Sequence, residues 1–346
     1  MVNKRDNNKI RFGCYNYQQG LEYKDIQRIV IECERLGFDS VWLKDNFTSS
    51  WLDDYFLYKE GGEFLRRFSD SPILESWTTL SSLASVTTKI RLGAILVNLH
   101  RSPSITAKMV STLDVITQGR VEFGLSAGWY EKEIKSYGLP FPDASTRLKM
   151  LEESLVIIKK MLTEQQPSSF TGKHYTIKEA VCNPKPIQNP HPPLWVGGGG
   201  KKTLQLAVKY ADGWNYGLCT YEEYLNKLTI LRNCCNTIGR NYDDIVKALH
   251  TIMILAESDK EIASLKNKRY DDDNTCSNSG SNDRNEIWKR NPDLVIAGTA
   301  NSIIMELGRY VKLGVNYFNI HFADLPDIRS LDLFARYVIP HFRNRE

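Results

Sequence analysis

Four consecutive glycines followed by two lysines form the stretch of the sequence best suited to holding a bound anion. Gly197–Gly200 follow the short apolar pattern Leu194–Val196 and precede Lys201, Lys202 and a helical pattern. Glycine lets a backbone approach a ligand closely, and the free N–H groups at the start of a helix favour negative charge. We expect this loop to hold a phosphate. A glycine-rich loop that only turns the chain is the alternative.

Polar side chains also follow the apolar segments that read as buried strands. Asp45 and Asn46 come directly after one such segment, and His100 comes shortly after another. The carboxyl ends of barrel strands are where active sites are built, so these three residues are our candidates for catalysis. Taken alone, Asp45 and Asn46 fit an ordinary turn equally well. For each of the three candidates, a structural role is favoured over proton transfer.

The elements that must position these residues alternate between strand and helix patterns. This alternation predicts an α/β fold, a (β/α)8 TIM barrel with loop insertions. A doubly wound sheet is the rival, but it would carry a GxGxxG loop after its first strand, where this chain has Gly13-Cys14-Tyr15. The eight predicted strands begin at Ile10, Ser40, Ile90, Val121, Leu194, Gly213, Ala248 and Tyr317.

Three long breaks interrupt the alternation within a predicted single domain, residues 1–346. They cover about residues 46–74, 164–193 and 258–293. The first is rich in aromatic residues, and we expect it to cover the active face. The second should contain a hairpin over Phe170–Ile177, and the third contains a polar tract, 271–285, that lacks the apolar residues needed for a core.

Composition limits the classes of partner. The chain has 346 residues, of which 42% are hydrophobic and 25% charged, with a formal net charge of +4 and no long basic block. This balance predicts no nucleic-acid partner, and no apolar run approaches the ~20 residues of a membrane span. Seven cysteines without metal-type spacing indicate reduced thiols and no metal site. We expect a cytoplasmic protein that acts on a small molecule, and a homodimer is compatible with the sequence.

A series of short motifs runs through the chain from about residue 10 to residue 240. The motifs are Leu36–Trp42 with Asp45, Glu75–Leu80, Lys89–Gly93, Arg101–Pro103, Thr112–Asp114, Gly119–Gly124, Ala127–Glu131, Tyr137–Pro142, Asn183–Gln188, Pro192–Gly200 and Ala211–Asn215. Each motif alone is weakly specific, whereas the ordered set is strongly so. In content and order, the set resembles the bacterial-luciferase-like monooxygenase superfamily, and within it the branch of probable coenzyme F420-dependent oxidoreductases.

The resemblance implies a barrel that binds F420, or alternatively FMN, at the carboxyl ends of its strands. The phosphate would lie between the glycine loop and the turn Ser126–Tyr130, and the ring would lie against Ala94–Asn98. A non-prolyl cis peptide at Ile95-Leu96, beside a bulge, is also expected. The residues implied to bind the cofactor are Asp45, Asn46, Ile95, Leu96, Val97, Asn98, Ser126, Gly128, Trp129, Tyr130, Gly197, Gly198, Gly199, Gly200 and Trp214.

Three functions are compatible with this resemblance. The first is hydride transfer between F420 and a small organic substrate that the sequence does not identify. The second is an FMN-dependent monooxygenase, and the third is a flavin-binding protein without catalytic activity. The chain departs from its relatives at Asn46, where many have histidine, and at Trp129, where the sugar-phosphate dehydrogenases have a glutamate acid. The loop 97–101 is also about one residue shorter than usual.

Overall fold

The computed structural model describes residues 9–16, 18–48, 72–268 and 294–343. Its strands are β1 (Arg11–Asn16), β2 (Ser40–Lys44), β3 (Arg91–Val97), β4 (Val121–Ser126), β5 (Ser168–Thr171), β6 (Thr176–Ala180), β7 (Leu194–Gly197), β8 (Gly213–Gly217), β9 (Val246–Leu255), β10 (Val295–Gly298) and β11 (Tyr317–Phe322). Its helices are α1 (Tyr23–Arg35), α2 (Ser76–Leu83), α3 (Pro103–Ile116), α4 (Glu131–Ser136), α5 (Ala144–Thr163), α6 (Lys201–Tyr210), α7 (Tyr221–Ile238), α8 (Asp259–Lys268), α9 (Ala300–Lys312), α10 (Arg329–Leu333) and α11 (Ile339–Arg343).

Eight parallel strands form a closed barrel in the order β1, β2, β3, β4, β7, β8, β9, β11. The ring closes where β11 pairs with β1 and where β8 pairs with β9. Helices connect successive strands, so the predicted (β/α)8 architecture is confirmed and the doubly wound sheet is excluded. The largest difference from the predicted strand starts is at β9, which begins at Val246 instead of Ala248.

A ninth parallel strand extends the sheet beyond the barrel. β9 is 10 residues long, and its first half pairs with β8 from Val246 to His250. Its second half pairs with β10, from Ile252 to Leu255. Because β9 extends beyond the end of β8, the backbone N–H and C=O groups in the second half of β9 need another partner, and β10 provides one.

Glycines make room for large aromatic side chains inside the barrel. A methyl group placed on Gly93 would lie 2.9 Å from the Trp42 indole, and one placed on Gly213 would overlap the Trp195 ring. Trp42 and Trp195 pack edge to face, with ring centroids 5.5 Å apart. The interior is therefore filled by a few large side chains, each facing a glycine on a neighbouring strand.

A buried carboxylate lies at the amino-terminal end of the barrel. Glu122 is fully buried, and its Oε2 accepts a hydrogen bond from Trp195 Nε1 at 2.9 Å. Its Oε1 lies 2.6 Å from Arg91 Nε and 3.6 Å from Arg11 Nη1. Two guanidinium groups and an indole N–H thus compensate one carboxylate that would be costly to bury alone.

The predicted insertions differ in how far the described residues cover them. The segment 164–193 contains β5 and β6, which form the predicted antiparallel hairpin with Phe170 opposite Ile177. The predicted aromatic cover over 46–74 and the polar tract 271–285 lie almost entirely outside the described residues. None of the helices in the described ranges combines the length and the hydropathy needed to cross a membrane.

We expect Glu122→Ala to lower the free energy of unfolding by about 3–5 kcal/mol, because the change leaves buried cationic groups without their counter-ion. Equilibrium unfolding in urea measures this loss. Lys135→Ala is the matched control, since it breaks only the exposed pair with Glu131 and should cost less than about 1 kcal/mol. Equal stability losses in the two variants would contradict this account of the interior.

Candidate active site

Predicted cofactor residues from three neighbouring strands meet at the barrel mouth, the end of the interior formed by the carboxyl ends of the strands. Val97 of β3 is in register with Ser126 of β4. A methyl group placed on Gly197, at the end of β7, would lie 2.9 Å from Ile95 Cγ2 and 3.8 Å from Ser126 Cβ. The structure therefore brings the end of β3, the end of β4 and the glycine loop to one place.

The glycine loop, Gly197–Gly200, has a shape that side chains would prevent. Gly198 has a φ of 121°, which L-residues rarely adopt, and a methyl group on Gly199 would overlap the Tyr216 ring. Gly200 then begins α6 without a capping side chain. The backbone N–H groups of the first helical turn consequently point toward the position where an anion would bind.

Trp214 holds this loop from the core between the barrel and the helices. Its side chain is fully buried between the barrel and the helices, where it stacks on Tyr216 with centroids 5.7 Å apart. Its Nε1 donates to the Gly198 carbonyl at 2.8 Å, and the Gly198 N–H donates to the Asn215 carbonyl at 3.1 Å. The expectation that Trp214 contacts the cofactor is corrected: β8 alternation turns its side chain away from the mouth, and it holds the loop instead.

The turn after β4 contains one partly exposed aromatic side chain and one buried one. Gly128 has a φ of 77°, and a methyl group there would lie 3.2 Å from Val97 Cγ1. Trp129 stacks on Tyr130 with centroids 5.1 Å apart. Tyr130 belongs to the apolar cluster inside the barrel, whereas Trp129 packs at its margin and remains partly accessible. Trp129 is therefore the aromatic residue of this turn that is open to a ligand.

Two expectations about the end of β3 are wrong. The Ile95-Leu96 bond is not among the cis peptide bonds of the described residues, which all precede proline. β3 pairs residue by residue with β4 from Leu92 to Val97, so the expected bulge is also missing there. Leu96 belongs to the core between barrel and helices. Strand alternation leaves Ile95 and Val97 as the side chains that face the mouth, while Asn98 is buried just beyond the strand.

Asp45 connects four parts of the mouth through its buried carboxylate. Its Oδ1 accepts a hydrogen bond from Ser76 Oγ at 2.7 Å. Its Oδ2 accepts from the Val97 N–H at 2.8 Å and lies 3.2 Å from His100 Nδ1. Arg101 donates to both oxygens, at 2.9 Å and 3.0 Å. Asp45 thereby holds the end of β3, the loop after it and the start of α2 against β2.

Glu133 of α4 holds the segment that follows Asp45, beginning at Asn46. Its Oε1 accepts from Asn46 Nδ2 at 3.0 Å, and its Oε2 accepts from the N–H groups of Phe47 and Thr48, each at 2.8 Å. His100 lies between the two carboxylates, with Nε2 3.7 Å from Glu133 Oε1. The Phe47 ring stacks on its imidazole at 4.1 Å. The segment leaving β2 is thus fixed to α4.

These contacts favour a structural role for the three catalytic candidates. Burial raises the pKa of Asp45, but contacts with His100 and Arg101 outweigh it and lower the pKa below its ordinary value. Asp45 is 1% exposed and Asn46 is 4% exposed. His100 brings an imidazole from the loop after β3 to both carboxylates, Asp45 and Glu133.

A second set of polar residues lies inside the mouth and was not predicted from the sequence. Tyr15 of β1 and His250 of β9 stack with ring centroids 4.3 Å apart. Burial and then the charge of Lys44 lower the pKa of His250 to about 3. Burial lowers the pKa of Lys44 to about 7, against the opposing effect of Glu133. The available signal was spacing, because each inward position lies two residues from the next on its strand.

The residues at the mouth fit a flat ring cofactor that carries a phosphate. The glycine loop and the uncapped start of α6 suit the anion, and Ile95 and Val97 offer an apolar surface to a ring. Asn215 Oδ1 is buried without a hydrogen-bond partner on the strand that supports the loop. No group of three or more His, Cys, Asp or Glu residues in the described ranges is arranged to hold a metal ion.

The sequence model of the luciferase-like monooxygenase family matches residues 9–317. The chain therefore belongs to that family, as the motif order indicated. It is an enzyme of the oxidoreductase class, and the family match covers every barrel strand at least up to the first residue of β11.

Relatives of two kinds are similar to this chain. The F420-dependent glucose-6-phosphate dehydrogenase of Microbacterium testaceum is 25% identical over 354 residues, which cover 97% of this chain and 98% of the relative. The FMNH2-dependent dimethylsulfone monooxygenase of Pseudomonas putida is 30% identical over 138 residues, 40% of this chain and 38% of the relative. Among solved structures, an F420-dependent secondary alcohol dehydrogenase with an F420-acetone adduct superposes with a TM-score of 0.75 at 20% identity, covering 95% of this chain and 98% of that one. That last match supports the fold.

We expect Glu133→Ala to accelerate amide exchange at Phe47 and Thr48 by about 10- to 100-fold, since a hydrogen bond to a charged group contributes about 1.5–3 kcal/mol. Hydrogen-exchange mass spectrometry of the peptide after β2 measures the change. Glu131→Ala, on the same helix but exposed and paired with Lys135, should leave these amides unchanged. Unaltered exchange in Glu133→Ala would show that Glu133 does not anchor this segment.

Proposed function

We propose that the chain is an F420-dependent oxidoreductase that moves a hydride between F420 and a small organic substrate. The observation that carries the proposal is the glycine loop, which opens onto α6 beside the exposed side chains of Lys201 and Lys202. The first turn of α6 contains no acidic residue. F420 continues from its phosphate into a lactyl-oligoglutamate tail, so a cationic exit from the phosphate site suits it better than it suits FMN.

Each part of the mouth has a task in this proposal. The N–H groups at the start of α6 and the Ser126 hydroxyl would bind the phosphate, while Ile95 and Val97 would support the ring. F420 supplies hydride chemistry at C5 of its ring when bound. The chain contributes orientation and exclusion of water. Lys135 of α4 is paired with Glu131, so Lys201 and Lys202 are the better placed cations for the tail.

The substrate proposed here differs from that of the sugar-phosphate dehydrogenases. Several F420-dependent glucose-6-phosphate dehydrogenases match almost the whole length of this chain at 23–25% identity. Their resemblance places a glutamate acid where this chain has Trp129, and an indole cannot donate a proton in that role. We therefore propose a substrate other than a sugar phosphate.

An FMN-dependent monooxygenase is the second candidate, and one observation favours it. The segment of 138 residues shared with the dimethylsulfone monooxygenase is 30% identical, a higher identity than the full-length F420-dependent relatives have. A glycine loop that binds one phosphate serves FMN as well as F420. The two candidates differ in whether the exposed lysines beside the loop have an anionic tail to bind.

We expect the purified protein to quench F420 fluorescence with a Kd in the micromolar range or tighter. In a competition with FMN, mass spectrometry of the bound fraction should recover mainly F420. Lys201→Ala together with Lys202→Ala should weaken F420 binding and leave FMN binding unchanged, because only F420 has a polyanionic tail. Preferential recovery of FMN would replace the first proposal with the second.

We expect Gly198→Asp to weaken binding of either phosphorylated cofactor roughly tenfold or more relative to Gly198→Ala. Both changes impose the same backbone strain at a φ of 121°, and only the first adds a negative charge beside the phosphate position. Fluorescence titration measures both affinities. If the two variants bind cofactor equally, the phosphate does not lie at the glycine loop.

A further inference from the structure

His100 is enclosed between two buried carboxylates at the rim of the mouth. Its side chain, in the loop after β3, is 1% exposed. Its Nδ1 lies 3.2 Å from Asp45 Oδ2, and its Nε2 lies 3.7 Å from Glu133 Oε1. The Phe47 ring stacks on the imidazole with centroids 4.1 Å apart and an interplanar angle of 21°. Both ring nitrogens of His100 therefore face carboxylate oxygens.

The Asp45 carboxylate is surrounded by hydrogen-bond donors. Its Oδ1 accepts from Ser76 Oγ at 2.7 Å and from Arg101 Nη2 at 3.0 Å. Its Oδ2 accepts from the Val97 N–H at 2.8 Å and from Arg101 Nη1 at 2.9 Å. These donors favour the ionised form, which can only accept. The contact with His100 Nδ1 is consequently a donation from an Nδ1–H to Asp45.

The Glu133 carboxylate is surrounded in the same way. Its Oε1 accepts from Asn46 Nδ2 at 3.0 Å. Its Oε2 accepts from the N–H groups of Phe47 and Thr48 and from the Thr48 hydroxyl, at 2.8, 2.8 and 2.9 Å. A neutral imidazole with its proton on Nδ1 would turn the Nε2 lone pair toward this carboxylate, and Nε2 has no hydrogen-bond partner among the described residues. That arrangement is repulsive in a buried site, whereas an Nε2–H is attracted to the carboxylate.

The charges around His100 balance when its imidazole is a cation. Arg101 donates to Asp45 and to Glu75, and Glu133 attracts the Lys44 ammonium. The charged groups that face His100 or its two carboxylates are Asp45 of β2, Glu133 of α4, Glu75 before α2, Arg101 of the same loop and Lys44 of β2. Three carboxylates thus face two cationic side chains, and an imidazolium supplies the third positive charge.

We propose that His100 is an imidazolium at neutral pH and, resting on the proposed function for the link to a cofactor, that it is a pH-sensitive positioning residue for the cofactor ring. Through Asp45 it fixes the Val97 N–H, at the end of the strand that would support the ring. Through Glu133 it fixes the segment from Asn46 to Thr48. When the proton leaves, a lone pair faces Glu133 and no imidazolium separates the two carboxylates, so both anchors weaken.

The first test observes the ring protons directly and uses the protein without cofactor. Nitrogen-15 NMR of histidine-labelled protein at about pH 7 should show both nitrogens of His100 protonated, with the signals assigned by their loss in His100→Gln or His100→Lys. His250 is the control in the same spectra, because burial and then the charge of Lys44 lower its pKa to about 3 and leave one of its nitrogens unprotonated. A single protonated nitrogen on His100 between about pH 6 and about pH 7 would overturn the proposal.

The second test measures the two anchors by amide hydrogen exchange, corrected for the intrinsic rate at each pH. Protection of the Phe47, Thr48 and Val97 amides should fall about tenfold or more between about pH 6 and about pH 9. The amides of residues 88–90 are the matched control, since Glu34 Oε2 accepts their N–H groups directly, at 2.7 to 2.9 Å. Their protection should stay constant over the same range. Constant protection at all six amides, or an equal loss at both sites, contradicts the role of His100.

The third test separates the charge of His100 from its shape. His100→Gln keeps a polar side chain without charge, whereas His100→Lys keeps a positive charge up to about pH 10. In fluorescence titrations, the wild type should bind its cofactor at least about threefold more weakly at about pH 9 than at about pH 7. His100→Gln should bind weakly at both values, and His100→Lys should show no decline. A parallel decline in all three proteins would assign the pH dependence to another group, such as Lys44, and a wild type without a decline would equally overturn the positioning role.

The two proposals fail in different ways. A wild-type protein that does not quench F420 fluorescence would remove the proposed cofactor, and FMN then becomes the probe in the third test, while the NMR and exchange experiments need no cofactor. Normal F420 affinity together with a neutral His100 imidazole would leave the cofactor assignment intact and contradict the positioning role. F420 binding whose pH dependence is present in the wild type and absent from both His100 variants supports both proposals.

Discussion

Closure of the parallel barrel is the constraint on which the rest of the structure depends. Once β1 pairs with β11 and β8 pairs with β9, alternate residues on eight strands share one narrow interior. Two large indoles occupy its centre only because Gly93 and Gly213 leave room for them. The same closure aligns all the strand ends at one rim, so residues distant in sequence become neighbours there.

Buried carboxylates then determine the arrangement of the rim. Asp45 and Glu133 take N–H and hydroxyl donors from the segments that leave β2 and β3, and His100 lies between them. Each of these carboxylates is costly to bury, and each is satisfied by donors that the loops could otherwise leave unpaired. The residues that looked catalytic by position therefore shape the mouth, and the polar groups that face its interior are Tyr15 of β1, Lys44 of β2 and His250 of β9.

The mouth has two chemically distinct ends. At one end the glycine loop and the start of α6 offer N–H groups and lysines, which suit a phosphate and an anionic tail. At the other end lie Lys44, Tyr15 and His250, where burial lowers the pKa of Lys44 to about 7 and the pKa of His250 to about 3. A ring supported by Ile95 and Val97 would extend from the first end toward the second.

The sequence by itself determined the alternation of strands and helices, the count of eight barrel strands and the glycine loop, because these depend on local periodicity and on backbone freedom. Only the tertiary structure decided which side chains meet. Strand alternation turned Leu96 and Trp214 away from the mouth and Lys44 into it, and the regular pairing of β3 with β4 left no bulge at Ile95. Strands buried on both faces show little alternation of polarity in the sequence, so the two-residue spacing alone did not show which set of side chains faces inward. The pKa of a lysine depends on burial and on charges brought close from distant segments, and folding alone supplies both.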